Sequence, residues 1–349
     1  MTTRHNIYIG ASQRMMRINN NSVDLVVTSP PYPMIKMWDN IFTEQNPEIS
    51  NALNTDRTKA FRLMHDELDN MWKECFRVLR YGGFMCINIG DATRNINNHF
   101  SLYNNHSRVI QSCLDIGFIG LPNIIWRKQT NAPNKFMGSG MLPCGAYVTL
   151  EHEWILIFRK GDKQEFKTEE QKLERMKSAY FWEERNAWFS DVWDVKGAKQ
   201  NLQAPNTRER SAAYPFEIPY RLINMFSIKG DTVLDPFLGT GTTMQAAIAT
   251  GRNSIGFEID ENFKPIIKEN IKNFTVENVN QLIDTRLEKH REFVKNRNFE
   301  GKDLKHYNKN LKCAVMTKQE NEIEFHKVKS IKEDVKDNDM FVVDRKSVV

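Results

Sequence analysis

The sequence predicts an α/β protein with a largely parallel sheet covered by helices on both faces. Three observations predict it. Short β-branched runs alternate with longer amphipathic runs, two of the short runs stop at distinctive turns, and an acidic residue closes a third. Parallel strands need long crossovers, and helices of this kind supply them. The 349 residues suffice for one large domain or two modest ones.

Taken in order, residues 7–9 form a short strand. Residues 24–28 form a second, which ends at Ser29-Pro30-Pro31-Tyr32. Two consecutive prolines cannot continue a central strand, so the chain leaves the sheet there. From about 58 to 79, Phe61, Met64, Leu68, Met71, Trp72, Cys75 and Leu79 recur at helical spacing. Gly82-Gly83 ends that helix and residues 84–89 form the next strand. A helix over 108–116 stops at Gly117, and strands follow over 119–126 and 153–158. Residues 160 to about 204 break the rhythm, being charged at first and then rich in tryptophan (Trp182, Trp188, Trp193). This stretch reads as an insertion or small subdomain. Regular order resumes with a helix over 219–226, a strand over 232–235, a helix over 243–250 and a strand over 253–258. Beyond about 280 the chain turns polar and lysine-rich, which predicts a helical extension with a loosely ordered tail.

Composition narrows the classes. No apolar run approaches the roughly 18 residues of a membrane span, and the N-terminus lacks a signal-peptide core, so a cytoplasmic protein is expected. Cys75, Cys86, Cys113, Cys144 and Cys313 are scattered without a CxxC pair, so reduced, mostly buried thiols are expected, with no metal site. His152-Glu153 is not part of an HExxH pattern. The net charge of +5 fits a nucleic-acid partner without requiring one. Between Arg286 and Lys318 bases outnumber acids; such a stretch either follows a phosphate backbone or is a solvated helix face.

Asp235-Pro236-Phe237-Leu238-Gly239-Thr240-Gly241-Thr242-Thr243 lies between a predicted strand and a predicted helix. In a parallel sheet that is the carboxyl end of a strand, where ligands bind. The glycines admit close backbone approach, and the helix N-terminus offers free N–H groups. Glu258, at the end of the next strand, is placed to accept both hydroxyls of a ribose. The spacing is not G-x-G-x-x-G, and the lysine of a phosphate-binding loop is missing. A plain glycine-rich turn is the alternative.

The Ser29–Tyr32 turn also follows a strand. Taken alone it is a rigid Pro-Pro turn with a surface tyrosine. Its chemical reading starts from the weakness of an exocyclic amino group as a nucleophile, since its lone pair is delocalised into the ring. Acceptors for both N–H protons favour a tetrahedral nitrogen whose lone pair points at a methyl donor. The Ser29 hydroxyl oxygen and the Pro30 carbonyl are suitable acceptors, Pro31 stiffens the turn, and Tyr32 offers a face on which an extruded base can stack.

With both turns in view, the chain resembles the amino-methyltransferases that modify DNA, over roughly residues 5–275. Ser29-Pro30-Pro31-Tyr32 resembles the family's catalytic motif, and Phe237-Leu238-Gly239-Thr240-Gly241 its cofactor motif. Catalytic motif first and cofactor motif last is the permuted order of the β class. His152-Glu153-Trp154-Ile155-Leu156 resembles the strand before that class's recognition region. Asp191-Val192-Trp193-Asp194 resembles its re-entry into the core, and Arg210-Ser211-Ala212-Ala213-Tyr214-Pro215-Phe216 the segment before the cofactor motif.

The resemblance implies a seven-stranded, mostly parallel methyltransferase sheet, S-adenosyl-L-methionine as methyl donor, and direct transfer without a covalent enzyme intermediate. It implies that Ser29, Pro30, Pro31 and Tyr32 form the catalytic turn. Asp235, Pro236, Phe237, Gly239, Thr240, Gly241 and Thr242 hold the cofactor, and Glu258 binds its ribose. A serine opening the motif is typical of cytosine-N4 enzymes and an aspartate of adenine-N6 enzymes. Double-stranded DNA and a cognate restriction endonuclease are the implied partners. Where family members carry Gly followed by Asp or Asn near the N-terminus, this chain has Gly10-Ala11-Ser12.

On this reading residues 1–159 are the catalytic part of the core and 160–205 a target-recognition insertion. Residues 206–280 are the cofactor part, and 281–349 a basic helical extension. DNA is expected between the core and 160–205, with Lys160, Lys163, Lys167, Arg175 and Arg185 on phosphates, and residues 33–54 are expected to be a mobile loop over the base. A cytosine-C5 enzyme fits poorly, because Pro143-Cys144 precedes the glycine motif instead of lying between it and Glu277-Asn278-Val279. The residues leave open an adenine-N6 enzyme of the same fold, an RNA or protein methyltransferase, and a non-catalytic nucleic-acid-binding protein.

Overall fold

The computed structural model describes residues 1–96, 99–128, 137–197 and 214–348. Ten strands form one sheet: β1 (Thr2–Ile9), β2 (Val23–Thr28), β3 (Leu79–Ile89), β4 (Phe118–Arg127), β5 (His152–Lys160), β6 (Val192–Asp194), β7 (Thr232–Asp235), β8 (Asn253–Glu258), β9 (His326–Glu333) and β10 (Met340–Ser347). Their spatial order is β6-β4-β5-β3-β2-β7-β8-β1-β10-β9. The seven strands from β4 to β1 make the expected methyltransferase sheet. Strands β3, β2, β7, β8 and β1 run parallel, and β5 is antiparallel to both β3 and β4. β6 adds a parallel edge beside β4, and the β9–β10 hairpin adds two antiparallel strands beyond β1.

The helices are α1 (Asp39–Gln45), α2 (Glu48–Thr55), α3 (Arg57–Val78), α4 (Asn105–Ile116), α5 (Glu169–Lys177), α6 (Trp182–Trp188), α7 (Glu217–Phe226), α8 (Thr242–Thr250), α9 (Phe263–Asn273) and α10 (Val276–Phe299). Successive strand residues face opposite sides of a sheet. Leu25 and Val27 accordingly join the core with α7, α8 and α9, while Val26 joins the core with α3 and α4. Asp56 caps α3 by accepting from the backbone N–H groups of Thr58 and Lys59, both at 3.0 Å. Gly117, at φ +112°, ends α4 in the left-handed region.

Two expectations are corrected. Residues 33–54 are not a loop: they carry α1 and most of α2, with Phe42, Ile49 and Ala52 buried against the α3 side. The C-terminal extension is not mainly helical. After α10 it forms a short hairpin (His306–Asn308 with Cys313–Val315) and then β9–β10, whose register on β1 pairs Thr3 with Val343. Met340-Phe341-Val342-Val343 is an apolar run inside the polar extension, and pairing with β1 fixes it as a strand. Cys75, Cys86 and Cys113 are buried as expected, whereas Cys144 is exposed and Cys313 half-buried. Residues 210–213 of the Arg210–Phe216 motif, and the boundary at 205/206, lie outside the described residues. Among the described residues no helix is long and apolar enough to cross a membrane.

Candidate active site

Parallel pairing brings the carboxyl ends of β2, β7, β8 and β1 to one edge. Asp235 pairs with Gly256, and Ile9 with Glu258. The turns that leave these strands therefore line one cavity. Ser29, Pro30, Pro31, Tyr32, Asp235, Pro236, Phe237, Gly239, Thr240, Thr242 and Glu258 all face it. Gly241 is not on its wall. It stands at the N-terminus of α8 with φ +90°, and Gly239 has φ +53°. Both values fall in the region that favours glycine.

The glycine turn holds its own shape. The Phe237 N–H donates to Asp235 Oδ1 at 3.0 Å, the Leu238 N–H to the Phe257 carbonyl at 2.7 Å, and the Gly241 N–H to the Leu238 carbonyl at 2.9 Å. Leu238 lies across Gly256, where any Cβ would come within 2.5 Å of it. Asp235 is buried and accepts from the Thr28 hydroxyl at 2.7 Å and the Thr243 hydroxyl at 2.5 Å. Burial pushes its carboxyl up to about 6 against these hydrogen bonds. Glu258 accepts from the Gly239 N–H at 2.8 Å and the Asp260 N–H at 2.9 Å, and burial pushes it up to about 7 against them. A Cβ on Gly239 would meet only the Phe237 carbonyl, at 3.9 Å, so the backbone is bare toward the cavity. A bare backbone beside a fixed carboxylate suits a nucleoside with a small charged tail.

The proline turn is held from outside itself. Tyr32 is only 7% exposed, with its hydroxyl turned into a buried polar cluster. That hydroxyl lies 3.2 Å from Ser29 Oγ and donates to Glu153 Oε2 at 2.8 Å. Asn88 Nδ2 donates to the Tyr32 oxygen and to Glu153 Oε2, both at 2.7 Å, and Lys128 pairs with Glu153 Oε1. Burial first, then the Glu153 charge, pushes the Tyr32 hydroxyl well above the usual tyrosine range, so it keeps its proton. Asn105, fully buried, donates to the Pro33 and Gly90 carbonyls at 3.1 and 2.9 Å and ties the turn to the end of β3.

Several of these residues escaped the sequence reading. Asn88 and Glu153 looked like strand positions, and Lys128 carried no signal at all. Gly10, Ala11 and Ser12 line the cavity despite their departure from the family pattern, as do Trp38, Ile41 and Gln45 from the region read as a loop. Gln13 joins these two walls by donating to Gln45 at 2.8 Å. Tyr214, another lining residue, bonds Thr243 at 2.5 Å and so backs Asp235.

A family model for DNA methylases of the N6 and N4 type matches residues 23–269, which takes in both turns and Glu258. The chain belongs to this DNA methylase family. It is 52% identical over 342 residues to the Type II methyltransferase M.MthZI of Methanothermobacter thermautotrophicus, covering 97% of this chain and 94% of that protein. It is also 52% identical over 283 residues to the Type II methyltransferase M.MjaI of Methanocaldococcus jannaschii, covering 78% and 92%. Among solved structures, the putative DNA modification methylase TTHA0409 of Thermus thermophilus, complexed with S-adenosyl-L-methionine, superposes with a TM-score of 0.59 at 31% identity, over 76% of this chain and 94% of that one. The PvuII DNA methyltransferase (cytosine-N4-specific) superposes with a TM-score of 0.56 at 17% identity, over 81% and 93%, and shows the shared fold.

Within this DNA methylase, residues 160–178 of the expected recognition region stand away from the cavity. β5 runs antiparallel to β3, so its last residue, Lys160, stands at the amino end of the sheet, away from the cavity. Lys160 is 5% exposed and donates to the Phe76 and Leu79 carbonyls at 2.6 and 2.8 Å and to Asn21 at 2.8 Å, which leaves nothing for a phosphate. Residues 161–178 stay at that end. Arg80 donates to Gln164 at 2.9 Å, and the Lys229 N–H, in the turn before β7, donates to Ser178 Oγ at 2.9 Å. Lys163, Lys167, Arg175 and Arg185 are exposed, but they belong to this segment and to α6. Trp188 and Trp193 pack into the core, and Trp193 is 1% exposed. Trp182 and Trp188 belong to α6 and Trp193 to β6, so the tryptophans of this stretch serve packing while most of its charges face out. Among the described residues, the carboxyl end instead holds Lys128 after β4, Glu151 before β5 and Val195 after β6.

Proposed function

We propose that the chain transfers the methyl group of S-adenosyl-L-methionine to N4 of a cytosine flipped out of duplex DNA. The observation that carries this reading is that Ser29 and the glycine turn with Glu258 face one cavity. The bare backbone at Gly239 and the Glu258 carboxylate fit the cofactor's amino-acid tail and ribose. When bound there, the cofactor supplies an electrophilic methyl group on a sulfonium. Ser29 Oγ and the Pro30 carbonyl accept the two amino protons and turn the nitrogen lone pair toward that methyl. Pro31 fixes the turn, and the Tyr32 ring supports the base. A serine rather than an aspartate at position 29 favours cytosine over adenine. The names of the two archaeal relatives favour a Type II role, in which a restriction endonuclease of the same site is the functional partner.

Incubating the protein with labelled S-adenosyl-L-methionine and DNA of varied sequence, then digesting to nucleosides, tests the reading. Label in N4-methylcytosine is expected. Label in N6-methyladenine would overturn the base assignment and keep the enzyme. No label in DNA would overturn the function.

A further inference from the structure

The hydrogen bonds beneath the proline turn run in one direction, and that direction is set by Glu153. An ionised carboxylate only accepts, and the Lys128 ammonium stands beside Oε1 as its counter-ion. The Tyr32 hydroxyl must then donate to Glu153 Oε2, at 2.8 Å. A phenol has one proton, so toward Ser29 the same oxygen can only accept. At 3.2 Å the Ser29 hydroxyl therefore spends its own proton on Tyr32. Asn88 enforces the same order by donating to both the Tyr32 oxygen and Glu153, with its amide also 3.4 Å from Ser29 Oγ. What Ser29 presents to the cavity is lone pairs.

We propose that Glu153 is a positioning residue: through Tyr32 it makes Ser29 an obligate hydrogen-bond acceptor, and it is the terminus of a relay that takes up the proton released by methylation. The proposal rests on the amino-methylation reading above. As the nitrogen lone pair forms the new N–C bond, the C–S bond pair stays on sulfur and the nitrogen is left with one proton too many. That proton passes to Ser29 Oγ, the Ser29 hydroxyl proton to the Tyr32 oxygen, and the Tyr32 proton to Glu153 Oε2. The relay ends with a neutral carboxylic acid at Glu153 and neutral hydroxyls at Ser29 and Tyr32. The acid returns its proton to solvent on the Lys128 side, where the ammonium is about one-third exposed.

The arrangement also filters the base. An amino group, with two protons to donate, matches an acceptor-only Ser29. A carbonyl at the same ring position, as in uracil, meets lone pairs with lone pairs. Glu153→Gln should reverse the chain: Lys128 draws the amide oxygen to its own side, the amide NH2 then faces Tyr32, and Ser29 is freed to donate.

The test uses three measurements on the full-length protein. Single-turnover methylation should fall roughly 10²-fold in Tyr32→Phe and in Glu153→Gln, with no further loss in the double variant, because both break one chain. Cofactor affinity and thermal midpoint should stay near wild type in Tyr32→Phe, which keeps the ring. Binding to duplexes carrying cytosine or uracil at the target position should favour cytosine about tenfold in the wild type, and Glu153→Gln should bring that preference to within about threefold. A wild-type rate in Tyr32→Phe, additive losses in the double variant, or an unchanged cytosine preference in Glu153→Gln would each overturn the relay. Absence of methyl transfer by the wild type overturns the underlying reading instead.

Discussion

The two turns at the carboxyl edge of the sheet are built by opposite means. The glycine turn is shaped by its own backbone: two residues at positive φ, an aspartate bonded two residues ahead, and a leucine over Gly256. The proline turn has a rigid backbone, but its chemistry is set by side chains from β3, β5 and the end of β4, namely Asn88, Glu153 and Lys128. A site for one constant ligand can be encoded largely by neighbouring residues. A site that must direct protons needs partners brought from far along the chain, since hydrogen-bond direction is a property of the whole cluster.

Substitutions in the two turns should separate these roles. The largest effect is expected at Ser29→Ala, which should lower turnover roughly 10²- to 10³-fold while cofactor affinity, measured by calorimetry, stays within about twofold. A matching loss of affinity would mean that the two turns are one binding unit. Gly239→Val should act the other way. A β-branched residue at φ +53° is strained, so the turn shifts and cofactor affinity falls by roughly 10- to 100-fold. Normal affinity there would remove the glycine turn from the cofactor site.

A smaller, pH-dependent effect is expected at Glu258. Its folded value of about 7 stands above the unfolded range, so the folded chain binds the extra proton and the ligand-free protein loses stability as pH rises from about 4.5 through 7. If Glu258 holds the cofactor hydroxyls as proposed, it does so as a carboxylate, so affinity should run in the opposite sense, weakening by up to about tenfold per pH unit below 7. Titrations between about pH 6 and 8 check this, and Glu258→Gln should flatten the dependence. The smallest functional effect is expected at the far end of the sheet. Lys160→Met strands the Phe76 and Leu79 carbonyls and should cost about 1–3 kcal/mol in denaturant unfolding. The salt dependence of DNA binding should not change, and a shallower slope would return Lys160 to the phosphate backbone.

Local signals in the amino-acid order were enough for the alternating α/β pattern, for the seven inner strands in outline, and for the cavity-lining residues of both turns together with Glu258. Those signals are apolar period, proline and glycine chemistry, and an acid at a strand end. Three things waited for the tertiary structure. Most of residues 33–54 became helices because α3 offers an apolar face that covers them. The last strands became part of the sheet because β1 was left with an open edge. The placement of 160–178 at the amino end follows from β5 running antiparallel, and strand direction is fixed by which neighbour a strand pairs with, not by its own residues. Glu153 belongs to the same class. The sequence marks Glu153 only as part of a strand that resembles the family's, and its role shows once Tyr32, 121 residues earlier, is folded against it.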